Sequence, residues 1–393
     1  MIEWLFFLLP VAALSGWLLA RKYYKNNPRP LSAVVSPDYF QGLNYLLNEQ
    51  PDKAIEVFVR LLEVNSETVD THLALANLFR RRGEVDRAVR IHQNLIARPN
   101  LSTVQRTQAL VELGLDYMSA GVLDRAEQLF LDLLNKPSPP IEAFQQLLRI
   151  YQQEKAWQKA IEMALKVQSQ SHENMGSLIA QFYCELAEKQ VKAFNYNVTT
   201  LLKSAHHHDP NCVRATLLEG KLYIQAANFR KASRSLLRIE KQDHCYIQEA
   251  LPLLLECYLQ MNSLKVFDDW LHSLLIKHPN MTSARLMLTQ VIQLQQGRQA
   301  AQDYLYPELQ QYPSVEGLHR LISLGEQSHP MLVPLIKDIT DTLVRRGTRY
   351  TCQSCGFAGK SMHWQCPSCK QWSSVKPTEI HLSLLETLLE SSK

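Results

Sequence analysis

Glycine is scarce, with 13 residues in a chain of 393. Alternating β-branched runs are also rare, so neither a turn-rich sandwich nor a barrel is expected. Leu, Ala, Gln, Glu and Arg are abundant instead, a composition that favours helix. No phosphate loop, H-E-x-x-H zinc helix, G-x-S-x-G elbow or glycine-rich dinucleotide turn occurs. The reading is therefore non-enzymatic. Net charge is only +4, too little for a nucleic-acid footprint without a clustered patch, and no nucleic acid is expected as a partner. At this length the chain exceeds one compact core and suits separate domains or a repeat array.

Charge is also missing near the start. From Ile2 to Ala20 the only charged residue is Glu3. Nineteen helical residues span roughly 28 Å, the hydrocarbon thickness of a bilayer. Trp4 and Trp17 flank this run, where indole rings favour the membrane interface. Arg21, Lys22, Lys25 and Arg29 follow, and no acidic residue lies between Trp4 and Pro37. The expectation is a transmembrane helix over 1–20, N-terminus periplasmic and the bulk of the chain cytoplasmic. A cleaved signal peptide would carry its basic residues before the apolar run. Residues 21–36, with Pro28 and Pro30, read as a linker.

From 37 to 346 the sequence repeats itself at about 34 residues, the tetratricopeptide period. A small residue and an aromatic recur in the first helix, and an alanine with a bulky residue in the second. Gly42, Tyr45, Ala54 and Phe58 form one copy; Ala76, Phe79, Ala88 and His92 the next; Gly114, Tyr117, Ala126 and Phe130 the third. Leu148, Tyr151, Ala160 and Ala164 follow, then Gly220, Tyr223, Ala232 and Leu236. Tyr258, Phe267 and Leu271, and finally Ile292, Ala301 and Leu305, complete the series. Between the fourth and sixth copies the pattern is irregular at Phe194–Val198, and a helix pair is expected at about 179–205. The fold class expected is all-α: a tetratricopeptide superhelix with one N-terminal membrane helix and a small C-terminal metal knuckle. Such arrays bind proteins or peptides on a concave face.

Eight cysteines are present. Cys184, Cys212, Cys245 and Cys257 lie in apolar or helical contexts and read as buried free thiols. Cys352, Cys355, Cys366 and Cys369 form two C-x-x-C pairs within eighteen residues (352–369). That spacing lets paired thiolates converge on one tetrahedral metal ion, and iron and zinc suit it equally. Gly356 supplies the left-handed turn. Tyr350, Phe357, Trp364 and Trp372 are the expected apolar shell, and His363 is expected at the surface. The knuckle is placed at 347–377. A helical tail follows over 378–393, with Leu382, Leu385, Leu388 and Leu389 on one side, expected against the end of the array. Arg80, Arg81, Arg82, Arg87 and Arg90 read as a solvated helix end or a surface for an acidic partner.

Long segments resemble the lipopolysaccharide assembly protein B (LapB) family of Gram-negative bacteria. They run from Tyr39 to Phe58 and from Thr71 to Pro99, and include Asn211–Ala215 and the Tyr350-x-Cys352-x-x-Cys355-Gly356-Phe357 motif. The resemblance implies a regulator of lipopolysaccharide synthesis at the inner membrane. It implies action with the membrane protease FtsH to promote degradation of the LpxC deacetylase, and contact with other lipopolysaccharide regulatory membrane proteins. It also implies a rubredoxin-like knuckle packed on the repeats, with Cys352, Cys355, Cys366 and Cys369 needed for function. Self-association is a further option. The irregular fifth copy and a longer tail depart from the family. The rival readings are a rubredoxin-like electron carrier and a general tetratricopeptide co-chaperone whose carboxylate clamp would use Arg80–Arg82.

Overall fold

A computed structural model describes residues 37–48, 50, 53, 54, 57, 69–99, 101–171, 173–192, 198–325, 341 and 347–378, with Trp17. The expected anchor over 1–20 (apart from Trp17), the linker, Phe58, the irregular stretch 193–197 and the tail beyond Thr378 lie outside the described residues. Among the described residues no helix is long and apolar enough to cross a membrane. The chain divides into two compact units, Met1–Leu147 and Leu148–Lys393.

The first unit contains α1 (Pro37–Leu47), α2 (Val69–Arg81), α3 (Val85–Ile96), α4 (Thr103–Ser119) and α5 (Leu123–Leu134). α6 (Ile141–Gln153) follows. The second unit continues with α7 (Trp157–Ser171), α8 (Gly176–Lys192), α9 (Val198–His208), α10 (Val213–Gln225), α11 (Phe229–Leu236) and the short α12 (Ile239–Gln242). After a 3₁₀ turn at His244–Tyr246 come α13 (Ile247–Gln260), α14 (Leu264–Lys277), α15 (Thr282–Gln296), α16 (Arg298–Gln311) and α17 (Val315–Leu324). These are helix pairs of the tetratricopeptide type.

The pairing rule is visible in individual residues. A Cβ added to Gly114 on α4 would stand 2.4 Å from Cζ of Phe130 on α5. Gly220 on α10 has the same relation to Leu236 Cδ2 on α11, at 2.5 Å. A side chain at either glycine would overpack the crossing. The alanines of the second helices (Ala54, Ala88, Ala126, Ala160, Ala232 and Ala301) are all fully buried. The turn inside each pair needs one left-handed residue. Gly83 and Gly121 take φ of 86° and 75°. In the second unit the same turn recurs at Ala227, Asn262 and Gly297, 35 residues apart each time (262 − 227, 297 − 262), with φ of 54°, 50° and 94°. Glycine marks this turn in sequence at Gly83, Gly121 and Gly297, whereas Lys155, Ala227 and Asn262 take the same left-handed backbone without that mark.

Ser102 caps α4 by accepting from the Gln105 amide while Gln105 reaches back, a reciprocal capping box. The irregular fifth copy is a helix pair after all, α8 with α9, starting a few residues earlier than 179 and ending at His208.

Arg80 departs from the expectation of a solvated cation. Its guanidinium donates to Glu112 Oε2 at 2.7 Å and to Asp116 Oδ1 at 2.9 Å. Asp116, fully buried, accepts also from His92 Nδ1 at 2.5 Å. This polar seam ties α2, α3 and α4 together, and it removes Arg80 from any carboxylate clamp. Arg82 and Arg87, by contrast, are exposed and pair with Glu84. Replacing Asp116 by Ala leaves His92 Nδ1 buried without its acceptor and Arg80 with Glu112 alone. Asp116→Ala is expected to cost about 3–5 kcal/mol, with Asp116→Asn costing less. Denaturant titration followed by amide exchange in α2, α3 and α4 checks the ranking.

Candidate metal centre

Three short strands carry the cysteines. β1 (Tyr350–Cys352) lies between β2 (Ala358–Gly359) and β3 (Val375–Pro377), all antiparallel, in the order β2-β1-β3. Two loops leave this sheet with the same backbone plan. In the first, Cys352 N donates to Phe357 O at 2.7 Å and Gly356 N to Cys352 O at 2.9 Å. In the second, Cys366 N donates to Gln371 O at 2.9 Å and Lys370 N to Cys366 O at 3.0 Å. Each loop turns through one left-handed residue, Gly356 at φ 73° and Lys370 at φ 60°. The lysine had no sequence signal of its own.

The plan brings all four sulfurs within 4.8 Å of one another. Cys352 Sγ stands 3.7 Å from Cys369 Sγ, and Cys355 Sγ stands 3.7 Å from Cys366 Sγ. Sulfurs held at about 2.3 Å from a tetrahedral ion are about 3.8 Å apart, whereas a disulfide needs about 2.05 Å. The donor set therefore fits one metal ion, and the four cysteines could bind it. Backbone amides serve the sulfurs. Those of Ser354 and Cys355 face Cys352, while Ser374 Oγ, 3.3 Å away, is the largest influence holding that thiol down at about 6. At Cys369 the Gln371 amide pulls downward, but burial and the three neighbouring cysteines outweigh it and push the thiol up to about 11. Thiolates this close repel one another, and a bound cation relieves that conflict.

Behind the sulfurs, Tyr350, Cys352, Cys366 and Val375 form a small buried cluster, with Phe357 and Met362 against it. Trp364 and Trp372 do not join it as a shell. They face the helices. Trp372 meets Trp157 and Phe182 edge-on, at centroid distances of 6.1 and 5.8 Å, and those two rings stack at 5.6 Å. The Trp372 indole donates to Gln152 Oε1 at 3.3 Å. Trp364 stacks on Tyr246 at 5.5 Å and lies under the Arg214 guanidinium at 5.7 Å. Arg214 is 3% exposed and is held by Glu185 and Glu188, both at 2.8 Å.

Hydrogen bonds complete the seam. Gln181 Nε2 donates to Ser373 Oγ at 3.0 Å, Tyr246 OH to the Val375 carbonyl at 3.0 Å, and Tyr350 OH to Glu249 Oε1 at 2.7 Å. Lys376 pairs with Asp243 and lies over the Tyr246 ring. The resemblance implies a knuckle packed on the repeats, but not the residues of this seam, because its helix-side members sit at unremarkable repeat positions. The one available signal was a pair of tryptophans in a knuckle too small to bury them. His363, half-buried, meets Phe357 edge-on and Ser361 Oγ, away from the sulfurs. Of the scattered thiols, Cys184, Cys212 and Cys257 are buried as expected, and Cys245 is half-exposed.

Residues 350–377 match the family model described as a rubredoxin metal binding domain, and 71–102 match one described as a tetratricopeptide repeat. The chain is 38% identical over 385 residues to lipopolysaccharide assembly protein B of Escherichia coli strain K12, covering 96% of this chain and 98% of that protein. It is 35% identical over 397 residues to the protein of the same name from Haemophilus influenzae, again covering 96% and 98%. Among solved structures it is similar to the C-terminal part of a tetratricopeptide-repeat protein from Cytophaga hutchinsonii, at 14% identity and a TM-score of 0.39, over 72% of this chain and 99% of that one. On sequence identity sustained over nearly its whole length, the chain belongs to the lipopolysaccharide assembly protein B family.

Proposed function

We propose that this chain is a non-enzymatic adaptor that regulates lipopolysaccharide synthesis from the inner membrane. The observation that carries the reading is its near full-length kinship with proteins named for lipopolysaccharide assembly. In this reading residues 1–20 hold the chain in the bilayer, 21–36 link, 37–346 form the docking array, 347–377 the metal domain and 378–393 the tail. The repeats engage the protease FtsH and its substrate LpxC, and the adaptor promotes LpxC degradation. Anchoring raises the local concentration of the docking face beside a membrane protease without any new contact.

Cys352, Cys355, Cys366 and Cys369 hold one ion, zinc or iron, in this proposal. The bound ion supplies folding energy to a domain with little core. The protein's own contribution is the seam, which fixes the ribbon on α7, α8, α10 and α13 and makes the two a single docking body. Four sulfurs filling a tetrahedral shell leave no open position for substrate, which supports a structural role.

Three outcomes test the proposal. Plasma mass spectrometry of the purified full chain should find one zinc or iron per chain, and Cys352→Ser with Cys355→Ser should abolish it. A reversible iron couple with a physiological donor would instead favour the electron carrier. Deleting residues 1–20 should lengthen the cellular half-life of LpxC; an unchanged half-life sinks the tether. Trp372→Ala should keep the metal yet weaken ribbon docking by about 3–5 kcal/mol. Limited proteolysis should then cut at the ribbon faster, and LpxC turnover should fall.

A further inference from the structure

The ribbon seam touches one pair of thiols that the metal site does not use. Cys184 lies on α8, and Cys212 is the residue that opens α10. Both are buried, at 0% and 2% exposure, within one apolar cluster. Their sulfurs stand 3.9 Å apart, and both thiols are free. They are in contact without being bonded; a disulfide would bring them to about 2.05 Å.

The two sulfurs are not equivalent. Gln181 Nε2 donates to Cys212 Sγ at 3.7 Å. A sulfur that receives an N–H keeps negative charge more readily, which leaves Cys184 to donate its S–H across the pair. Hydrogen bonding to Cys184 accordingly holds the Cys212 thiol below its ordinary pKa. The same bond, with burial, pushes Cys184 well above it. Cys212 is therefore the nucleophile of the pair, since the thiolate is the reactive form, and Cys184 is the neighbour that carries the proton.

Gln181 ties this pair to the ribbon. It is 2% exposed, and its amide group donates both to Cys212 and to Ser373 Oγ of the ribbon, the latter at 3.0 Å. Its carbonyl accepts from Arg214 Nη1 at 3.3 Å. Ser373 directly follows Trp372, the indole that seats the ribbon on the helices.

We propose that Cys184 and Cys212 are a peroxide-sensitive dithiol whose oxidation loosens the ribbon. The Cys212 thiolate attacks one oxygen of hydrogen peroxide and the O–O bond breaks. Cys212 becomes a sulfenic acid, and the released hydroxide takes up the proton that Cys212 had given up and leaves as water. Cys184 then attacks the sulfenic sulfur. The S–S bond forms, and the sulfenic hydroxyl departs with the Cys184 proton as a second water. The two thiols lose two electrons together, and one peroxide is reduced to two waters. Peroxide is hardly larger than water and reaches buried thiols through local openings of the fold. The new bond draws Cys212 Sγ toward Cys184 and away from Gln181. One buried N–H is then left without its acceptor. The amide turns to satisfy it, and its bond to Ser373 is lost.

The test uses the full chain, purified in detergent with its metal and exposed to hydrogen peroxide. Free thiols are alkylated, and peptides are mapped without reduction. A linked Cys184–Cys212 peptide is expected. Amide exchange over 371–376 should quicken roughly fivefold, about what one hydrogen bond contributes, and dithiothreitol should reverse both changes. Cys212→Ser keeps an acceptor for Gln181 but removes the nucleophile, so peroxide should leave its ribbon exchange unchanged. Reversal by dithiothreitol in the unaltered chain needs no variant to fold. Absence of the linked peptide while the half-exposed Cys245 is oxidised would overturn the inference. So would a linked peptide without faster ribbon exchange. Equal quickening in Cys212→Ser would assign the loosening to the metal cysteines and overturn it as well.

Discussion

Everything at the metal domain rests on a shortage of apolar volume. Its internal cluster amounts to four buried residues with a few neighbours, and a domain this small cannot shelter its own indoles. Trp364 and Trp372 must find cover elsewhere, and the helices supply it with Trp157, Phe182 and Tyr246. The knuckle orients the Trp372 side chain, because the second loop that carries Cys366 and Cys369 runs directly into it. Coordination and docking are therefore two ends of one hairpin.

Each unit also holds an arginine among carboxylates, half-buried in the first and buried in the second. Arg80 with Glu112 and Asp116 does this in the first unit, and Arg214 with Glu185 and Glu188 in the second. Burying such charges contributes little net stability, because desolvation offsets most of the attraction. Their value lies in geometry. An apolar helix face tolerates sliding, whereas a guanidinium held by two carboxylates allows one register. In the second unit that register is transmitted onward, since the far face of Arg214 meets Trp364.

Much of this was legible from residues alone. Ala126 with Phe130 and Ala232 with Leu236 mark second helices because close helix crossings demand small residues at fixed spacing, and all four are buried. The C-x-x-C pairs were equally plain, since two thiolates three residues apart need only a tight turn to converge. Local periodicity carries such features. What it does not carry is pairing at long range. Arg80 looked like one member of an exposed basic run, because its carboxylates lie 32 and 36 residues away on another helix. Trp372 looked like part of a metal shell, because nothing near it in sequence names Trp157 or Phe182. Lys370 and Ala227 occupy left-handed turns usually marked by glycine, so the usual sign was missing.

The span of the ribbon seam has a consequence for biogenesis. Gln152 and Trp372 are separated by 220 positions, and Gln181 and Ser373 by 192. At synthesis rates of about 5–20 residues per second, the ribosome takes roughly 10–40 s to make the missing half of the Gln152–Trp372 contact. Through that interval Trp157 and Phe182 are on a nascent polypeptide without their cover. The aromatic patch gains its cover only when the ribbon arrives.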